Sequence, residues 1–398
     1  MPDEDSLLIE KASNKENLKD KIVLDLGCGS CFLAEKLQKK AKKIIASDLD
    51  FEVLLKNKNL NKNKVFLINT HLLYPFKRVF DFIFFNPPYL NFDERESYHL
   101  DTTGGIKGYE TSLKFLDQLI NSLKIGGKAF LIASNYTINK IKEKIEKEKL
   151  FDYKILEEKY LLFEKIYLLE ITYSKKFEEY KEFFNSNPCY KVKFFNKGKN
   201  SIILEDKQGW LLKINKKEKN LKEFFYLSLI KRKIKFYNLF IPEFFLRENI
   251  LFIKKIKGVN LQEIKKKINE TKEKKEKKKL LKLKYKILLK SLYISFILDK
   301  IGINKKEMNH PEKHIFYYKG KVYFIDFEKA HLSKKRKNVT QLSFYILKEI
   351  KKDFNLKKEE EHLKHLLKKY KNDYKLSSFK KIVDFFDTTV QFFLKKEY

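Results

Sequence analysis

An apolar run that stops at two consecutive prolines leaves a chain few choices, and Phe80-Asp81-Phe82-Ile83-Phe84-Phe85-Asn86-Pro87-Pro88-Tyr89 is such a run. Its Phe/Ile-rich part reads as a buried strand that ends at the rim of a site. Each proline holds φ near about −65° and brings no N–H, so the turn is stiff and its carbonyls are left to accept. Asn86 sets a side-chain carbonyl beside the main-chain carbonyl of Pro87. Two fixed acceptors this close suit a planar –NH2 group, against which the Tyr89 ring would pack.

The flanking sequence supplies the rest of a sheet. Lys21-Ile22-Val23-Leu24-Asp25-Leu26 reads as a short buried strand running into Gly27-Cys28-Gly29-Ser30, then an amphipathic helix from about Phe32 to Lys40. Strand, glycine turn and helix form the first unit of a doubly wound α/β sheet, whose ligands sit at the carboxyl ends of the strands. The glycines admit a cofactor close to the backbone, but their spacing is not a dinucleotide fingerprint and no P-loop lysine follows. Lys43 to Asp48 is a second strand ending in a carboxylate able to accept both hydroxyls of a ribose, while Asp50 reads as a helix cap. Val65 to Asn69, the opening run, and Lys128 to Ala133 after Gly126-Gly127 are the third, fourth and fifth strands. Their alternation with helices predicts a mostly parallel sheet.

Length and charge set the frame. At 398 residues the chain has room for two or three domains. Lys and Arg number 87 against 53 acids, a formal charge of +34. Almost all the positive charge is Lys, beside abundant Phe, Ile and Asn, as A/T-rich coding would produce. A basic surface for RNA or a ribosome-associated partner is the functional alternative. Three cysteines are too few for a disulfide framework and point to a reducing, cytoplasmic setting. Cys28 and Cys31 form a C-x-x-C, but no second pair follows and both read as loop residues. The acidic Met1-Pro2-Asp3-Glu4-Asp5 is not a signal peptide. No apolar run reaches membrane-spanning length, since the longest, Ile287 to Ile301, carries Lys290 and Asp299.

The residues quoted resemble the S-adenosylmethionine-dependent methyltransferases. Asp25-Leu26-Gly27-Cys28-Gly29 is similar to their cofactor loop, and Asn86-Pro87-Pro88-Tyr89 to the motif of those that methylate an amide or exocyclic amine. Pro2-Asp3-Glu4-Asp5-Ser6-Leu7-Leu8 is similar to the opening segment of the release-factor glutamine methyltransferases, in their archaeal and eukaryotic, HemK-like branch. Gly104-Gly105-Ile106-Lys107-Gly108-Tyr109-Glu110 resembles the segment after their catalytic motif, and Glu157 to Lys165 continues the likeness. The resemblance thus covers residues 1 to about 175.

It implies a Rossmann-like class I fold with a mostly parallel seven-stranded sheet, S-adenosylmethionine as cofactor, and methylation of a glutamine side-chain nitrogen in a translation release factor. By it, Asn86, Pro87, Pro88 and Tyr89 are catalytic, and Asp5, Asp25, Gly27, Cys28, Gly29, Asp48, His71 and Asn86 hold the cofactor. A small zinc-binding activator subunit is an implied partner. Amide nitrogen is a poor nucleophile, so positioning and acceptors that favour a pyramidal nitrogen carry the catalysis. Two departures stand out: Cys31 takes the place of a third glycine, and His71-Leu72 that of an Asp-Leu whose acid contacts the adenine.

Asn185-Ser186-Asn187-Pro188 reads as a linker to a second domain, residues 185 to 345. Strand-like runs at Tyr190 to Phe195, Ser201 to Asp206 and Gly209 to Ile214 precede a helix pattern containing Glu223. Lys321 to Glu328 is a later strand that ends in an acid. With His310-Pro311-Glu312-Lys313-His314-Ile315, Ile325 to Ala330 and Lys337 to Gln341, this order resembles an α+β protein-kinase-like fold, most closely the small archaeal kinases. The resemblance implies that Lys213 pairs with the phosphates of ATP and with Glu223, and that Asp326 holds Mg²⁺. The catalytic acid position falls on Asn309 if His314 takes the metal-binding position, with Glu307 the nearest acid. The phosphate loop is poor in glycine, so active kinase, nucleotide binder and scaffold all stay open. Lys265 to Lys284 is a Lys/Glu tract expected as a solvated helical insertion. Residues 346 to 398 carry helical patterns without chemistry.

The sequence therefore predicts a two-module cytoplasmic protein, a glutamine methyltransferase fused to an atypical kinase-like domain. Its rivals are an RNA base methyltransferase acting on an exocyclic amine, and a binding protein whose catalytic parts have decayed.

Overall fold

The computed structural model describes residues 4–60, 63–88, 107–161, 164–198, 201–354 and 360–396. Contacts divide the chain into two units, Met1–Lys217 and Glu218–Tyr398.

In the first unit the short apolar runs become strands flanked by turn residues, the central ones buried on both faces and the edge strand Phe151–Tyr160 on one. They are β1 (Ile22–Leu26), β2 (Lys43–Asp48), β3 (Val65–Asn69), β4 (Phe80–Phe85), β5 (Leu123–Ser134), β6 (Phe151–Tyr160) and β7 (Lys165–Tyr173). They form one sheet in the order β3-β2-β1-β4-β5-β7-β6. The pairs from β3 to β5 are parallel, and β7 runs antiparallel to both β5 and β6. The helices are α1 (Glu4–Lys15), α2 (Phe32–Leu37), α3 (Phe51–Lys56), α4 (Glu110–Leu119) and α5 (Ile138–Glu148). Apolar residues three or four apart seat them, as with Ile138, Ile141 and Ile145 in α5. Phe84 stacks on Phe130 of the neighbouring strand, ring centres 5.0 Å apart, in the middle of the sheet.

Asp81, the polar residue in the apolar run, ties the base of the sheet together. It accepts the Ile22 N–H at 2.9 Å and pairs with Lys124 at 3.1 Å. Gly127, inside β5 and not in a turn before it as the sequence suggested, lets that strand press against β4: a Cβ there would lie 2.7 Å from the Asp81 carbonyl oxygen.

The boundary between units falls at Lys217, later in the chain than the 175–185 division read from sequence. A 3₁₀ turn (Lys175–Tyr180) and α6 (Lys181–Ser186) follow β7, and α6 takes in Asn185 and Ser186 of the stretch read as a linker. Arg78, 1% exposed, holds that stretch down. Its guanidinium donates to the Ile120 carbonyl at 2.9 and 2.7 Å and to that of Phe184 at 3.2 Å, and it stacks over the Phe184 ring. The Pro188 carbonyl accepts the Arg78 N–H at 3.1 Å. A buried cation held mainly by carbonyls is expensive to disturb, so this segment belongs to the first unit. The antiparallel strands β8 (Val192–Lys197), β9 (Ile202–Asp206) and β10 (Trp210–Ile214) complete the unit.

The second unit opens with α7 (Lys217–Lys233) and the hairpin β11 (Phe244–Arg247) and β12 (Ile250–Lys254). Then come β13 (Val259–Asn260), α8 (Leu261–Glu270), α9 (Lys274–Lys300), β14 (Ile303–Asn304), β15 (Ile315–Tyr318), β16 (Lys321–Phe324) and β17 (His331–Leu332). Three helices close it: α10 (Asn338–Phe354), α11 (Glu360–Asp373) and α12 (Leu376–Lys396). The Lys/Glu tract from Lys265 to Lys284 is not a wholly solvated insertion, because α8 buries Ile268 and α9 buries Leu281 and Lys284. Among the described residues no helix is long and apolar enough to cross a membrane.

Candidate active site

Strand register assembles the site. Leu26 of β1 lies opposite Phe85 of β4 and Ser47 of β2. Gly27 and Asn86, just beyond β1 and β4, and Asp48, the last residue of β2, therefore emerge side by side where the strand order turns back on itself. Gly27 and Gly29 have φ of 63° and 47°. A Cβ on Gly27 would sit 3.5 Å from the Phe85 ring, whereas one on Gly29 would meet nothing within 4 Å. The first glycine serves packing and backbone twist, and the second faces open space.

The loop is pinned from β2. Cys28 N–H donates to the Ser47 carbonyl at 3.0 Å and Gly29 N–H to Asp48 Oδ2 at 2.9 Å. Asp48 Oδ1 accepts from Asp50 N–H at 3.0 Å. An ionised carboxylate offers about four acceptor positions, so Asp48 keeps capacity for a pair of hydroxyls. Asp50 caps α3 through Glu52 N–H, as its position in the sequence indicated. Asp25 is buried beneath the loop and accepts Ala34 N–H at 3.1 Å. Burial pushes its pKa up to about 7; the Ala34 N–H opposes that rise and the charge of Asp48 adds to it.

Cys28 and Cys31 lie with their sulfurs 3.2 Å apart. The Cys31 contact, burial and the neighbouring carboxylates hold the Cys28 thiol far above its ordinary pKa, so it stays protonated and is no nucleophile. Cys31 occupies φ 55°, a conformation that glycine adopts more easily. His71 is exposed just beyond β3.

Asn86 is the most informative side chain. Its Nδ2 donates to Asp5 Oδ2 at 2.8 Å, while its buried Oδ1 has no partner among the described residues. Pro87 is buried and Pro88 half-buried behind it. Tyr89 and the Gly104-Gly105-Ile106 part of the later motif lie outside the described residues. Sequence reasoning placed Asp5 at the cofactor, and its link to Asn86 was not foreseen.

In the second unit Asp326 follows β16 with φ 63°, and its carbonyl accepts from Lys305 Nζ at 2.9 Å. His314 Nδ1 is 3.8 Å from Asp326 Oδ2. One ligand atom each from Glu307, His314 and Asp326 falls within 4.8 Å of the others, a grouping able to hold a metal ion. Glu307 also pairs with Lys329. Asn309 is exposed. Lys213 is buried on β10 in the first unit. Glu223 is buried on α7 in the second, where it accepts Phe327 N–H at 2.9 Å.

A mostly parallel seven-stranded sheet with a reversed last strand, a glycine loop after β1 and an acid after β2 define a Rossmann-like class I methyltransferase. Residues 3–148 match the family model described as "Methyltransferase small domain". A Methanocaldococcus jannaschii protein provisionally named a protein N5-glutamine methyltransferase is 34% identical over 154 residues, covering 35% of this chain and 77% of that protein. The chain belongs to the methyltransferase small-domain family. The release factor glutamine methyltransferase of Lactococcus lactis is 32% identical over 135 residues, 29% of this chain and 48% of that enzyme. Among solved structures, the E. cuniculi Mtq2–Trm112 complex, which methylates the eRF1 translation termination factor, shares 25% identity. The likeness covers 44% of this chain and 98% of that one, with a TM-score of 0.37.

Proposed function

We propose that the chain is an S-adenosylmethionine-dependent N-methyltransferase whose acceptor is the side-chain amide of a glutamine in a translation release factor, with the chemistry confined to residues 1 to about 175. The buried, unpartnered Oδ1 of Asn86 at the end of β4 carries the reading. A buried acceptor without a donor costs about 1–3 kcal/mol, which a substrate –NH2 group would recover. The Gly27-Cys28-Gly29 backbone and Asp48 would hold the cofactor, Asp48 through ribose hydroxyls, and the bound cofactor supplies an electrophilic methyl group.

The chain's own residues bind and orient. Asn86 Oδ1 and the Pro87 carbonyl accept the two amide N–H groups and fix the nitrogen in line for transfer. As the nitrogen loses its conjugation its protons become more acidic, so both hydrogen bonds strengthen toward the transition state. The proton leaves only after the methyl has moved, so no general base is required. The stiff Pro87-Pro88 turn keeps the acceptors from drifting. The names of the two relatives support a glutamine acceptor. An exocyclic amine of an RNA base presents the same donors, and the +34 charge would favour it. The test is therefore mass spectrometry of a release factor and of ribosomal and transfer RNA after incubation with cofactor, with Asn86→Ala as control.

For Glu218–Tyr398 the Glu307–His314–Asp326 grouping favours a second reading, a kinase-like module that binds a divalent cation with a nucleotide. Left-handed φ at Glu307 and Asp326 is backbone strain of the kind that gathers at functional sites. ATP with Mg²⁺ is expected to raise the melting temperature of the full chain, and Asp326→Ala to abolish the rise. No shift at millimolar ATP would leave that unit a scaffold.

A further inference from the structure

We infer that Asp5 is a positioning residue for methyl transfer: it fixes which end of the Asn86 carboxamide faces the substrate. The inference rests on the reading of Asn86 as the amide clamp. A terminal amide has two orientations of nearly equal intrinsic energy, related by a half-turn about its last side-chain bond. One presents Oδ1 to the site and can accept from a substrate –NH2. The other presents –NH2 to –NH2 and repels it. The stiff proline turn does not choose between them, because it constrains the backbone and not that bond.

Asp5 makes the choice by chemistry. An ionised carboxylate only accepts, so the face of Asn86 turned toward it must carry the nitrogen. The contact is made by Nδ2 at 2.8 Å, and Oδ1 is left buried and unpartnered. Asp5 is itself anchored. Its other oxygen accepts Ser6 N–H at 2.7 Å in the first turn of α1, and α1 is seated on the core through Leu8, Ile9 and Ala12. The opening segment therefore serves the reacting end of the site across 81 residues of sequence.

The test separates this role from a cofactor contact. With a release factor as acceptor, Asp5→Ala is expected to lower kcat by about 10- to 100-fold, as for a lost orienting contact, while cofactor affinity by calorimetry changes less than about threefold. Asp5→Asn should be at least as damaging, because an amide at position 5 can donate to Oδ1 and favour the wrong orientation. In an Asn86→Ala background Asp5→Ala should add less than about twofold, since no carboxamide remains to orient.

A second readout needs no substrate. In protein labelled with nitrogen-15 asparagine, the side-chain NH2 signals that vanish in Asn86→Ala are expected to shift and exchange faster in Asp5→Ala. Unchanged signals, an unchanged kcat in Asp5→Ala, or an equal loss in both backgrounds would overturn the role. Full activity in Asn86→Ala overturns the clamp and this inference together. Impaired Asn86→Ala with intact Asp5→Ala overturns the inference alone. If release factor is never methylated, the acceptor assignment fails and the spectra still decide whether Asp5 holds the amide.

Discussion

The carboxamide of Asn86 and the ammonium of Lys284 are both withdrawn from solvent, yet the chain provides for them in opposite ways. Lys284, 2% exposed, pairs with Glu349 at 2.7 Å and Asp353 at 2.8 Å. Lys265 reaches Glu349 at 2.8 Å and Glu312 at 3.3 Å, and Tyr285 donates to Asp353 at 2.6 Å. These charges find one another inside the second unit. Asn86 has one end held by Asp5 and the other left with nothing to accept from. A buried network whose charges are ion-paired fixes the position of helices, even though Glu349 Oε2 meets Lys284 as an ion pair and accepts no hydrogen bond. An amide with neither charge nor donor at one end is instead built for something that arrives later.

Breaking the closed network should have the largest effect. Glu349→Ala would leave Lys284 charged, buried and short of a partner, and should cost about 3–5 kcal/mol of second-unit stability by urea unfolding. Replacing Lys284 and Glu349 together by Met and Leu should cost far less, because both charges then leave. If the single and the double variant unfold alike, the network is no charge cluster and the contrast with Asn86 collapses.

A smaller effect, in the first unit, concerns pH. Asp25 has its pKa raised from 3.8 to about 7 by burial. Below about pH 4 both folded and unfolded chains hold its proton. Between about 4 and 7 the unfolded chain releases it while the folded one retains it, so stability falls as pH rises, by at most about 1.4 kcal/mol per pH unit. Above 7 the contribution is constant. Asp25→Asn should remove this slope, read as the difference between variant and parent in hydrogen exchange of β1. Parallel pH profiles for the two proteins would show that Asp25 ionises freely under the loop.

Much of the first unit was legible in the sequence because its signals are local. Phe80–Phe85 ends as a strand at Asn86-Pro87-Pro88, Asp48 closes β2, and Asp50 caps a helix, each readable within about ten residues. What escaped depends on distance along the chain. The Asp5–Asn86 bond spans 81 residues, and Arg78 gathers carbonyls from Ile120 and Phe184. No composition shift announces either, so the segment 185–188 read as a linker although Arg78 clamps it. Lys284 was hidden differently. It sits at the end of a tract of mostly exposed lysines, and its burial against partners on α10 sets it apart from nearly all of them.

The central claim is that Asn86 Oδ1 and the Pro87 carbonyl receive an amide –NH2. Its most direct measurement is peptide mapping by mass spectrometry of a release factor incubated with S-adenosylmethionine and either the parent chain or Asn86→Ala. The account predicts one methyl on a glutamine side-chain nitrogen, a rate about 10²-fold or more lower with Asn86→Ala, and cofactor affinity nearly unchanged. Methyl on ribosomal or transfer RNA instead, lost in the variant, would contradict the glutamine assignment. Transfer undiminished in Asn86→Ala would contradict the clamp itself.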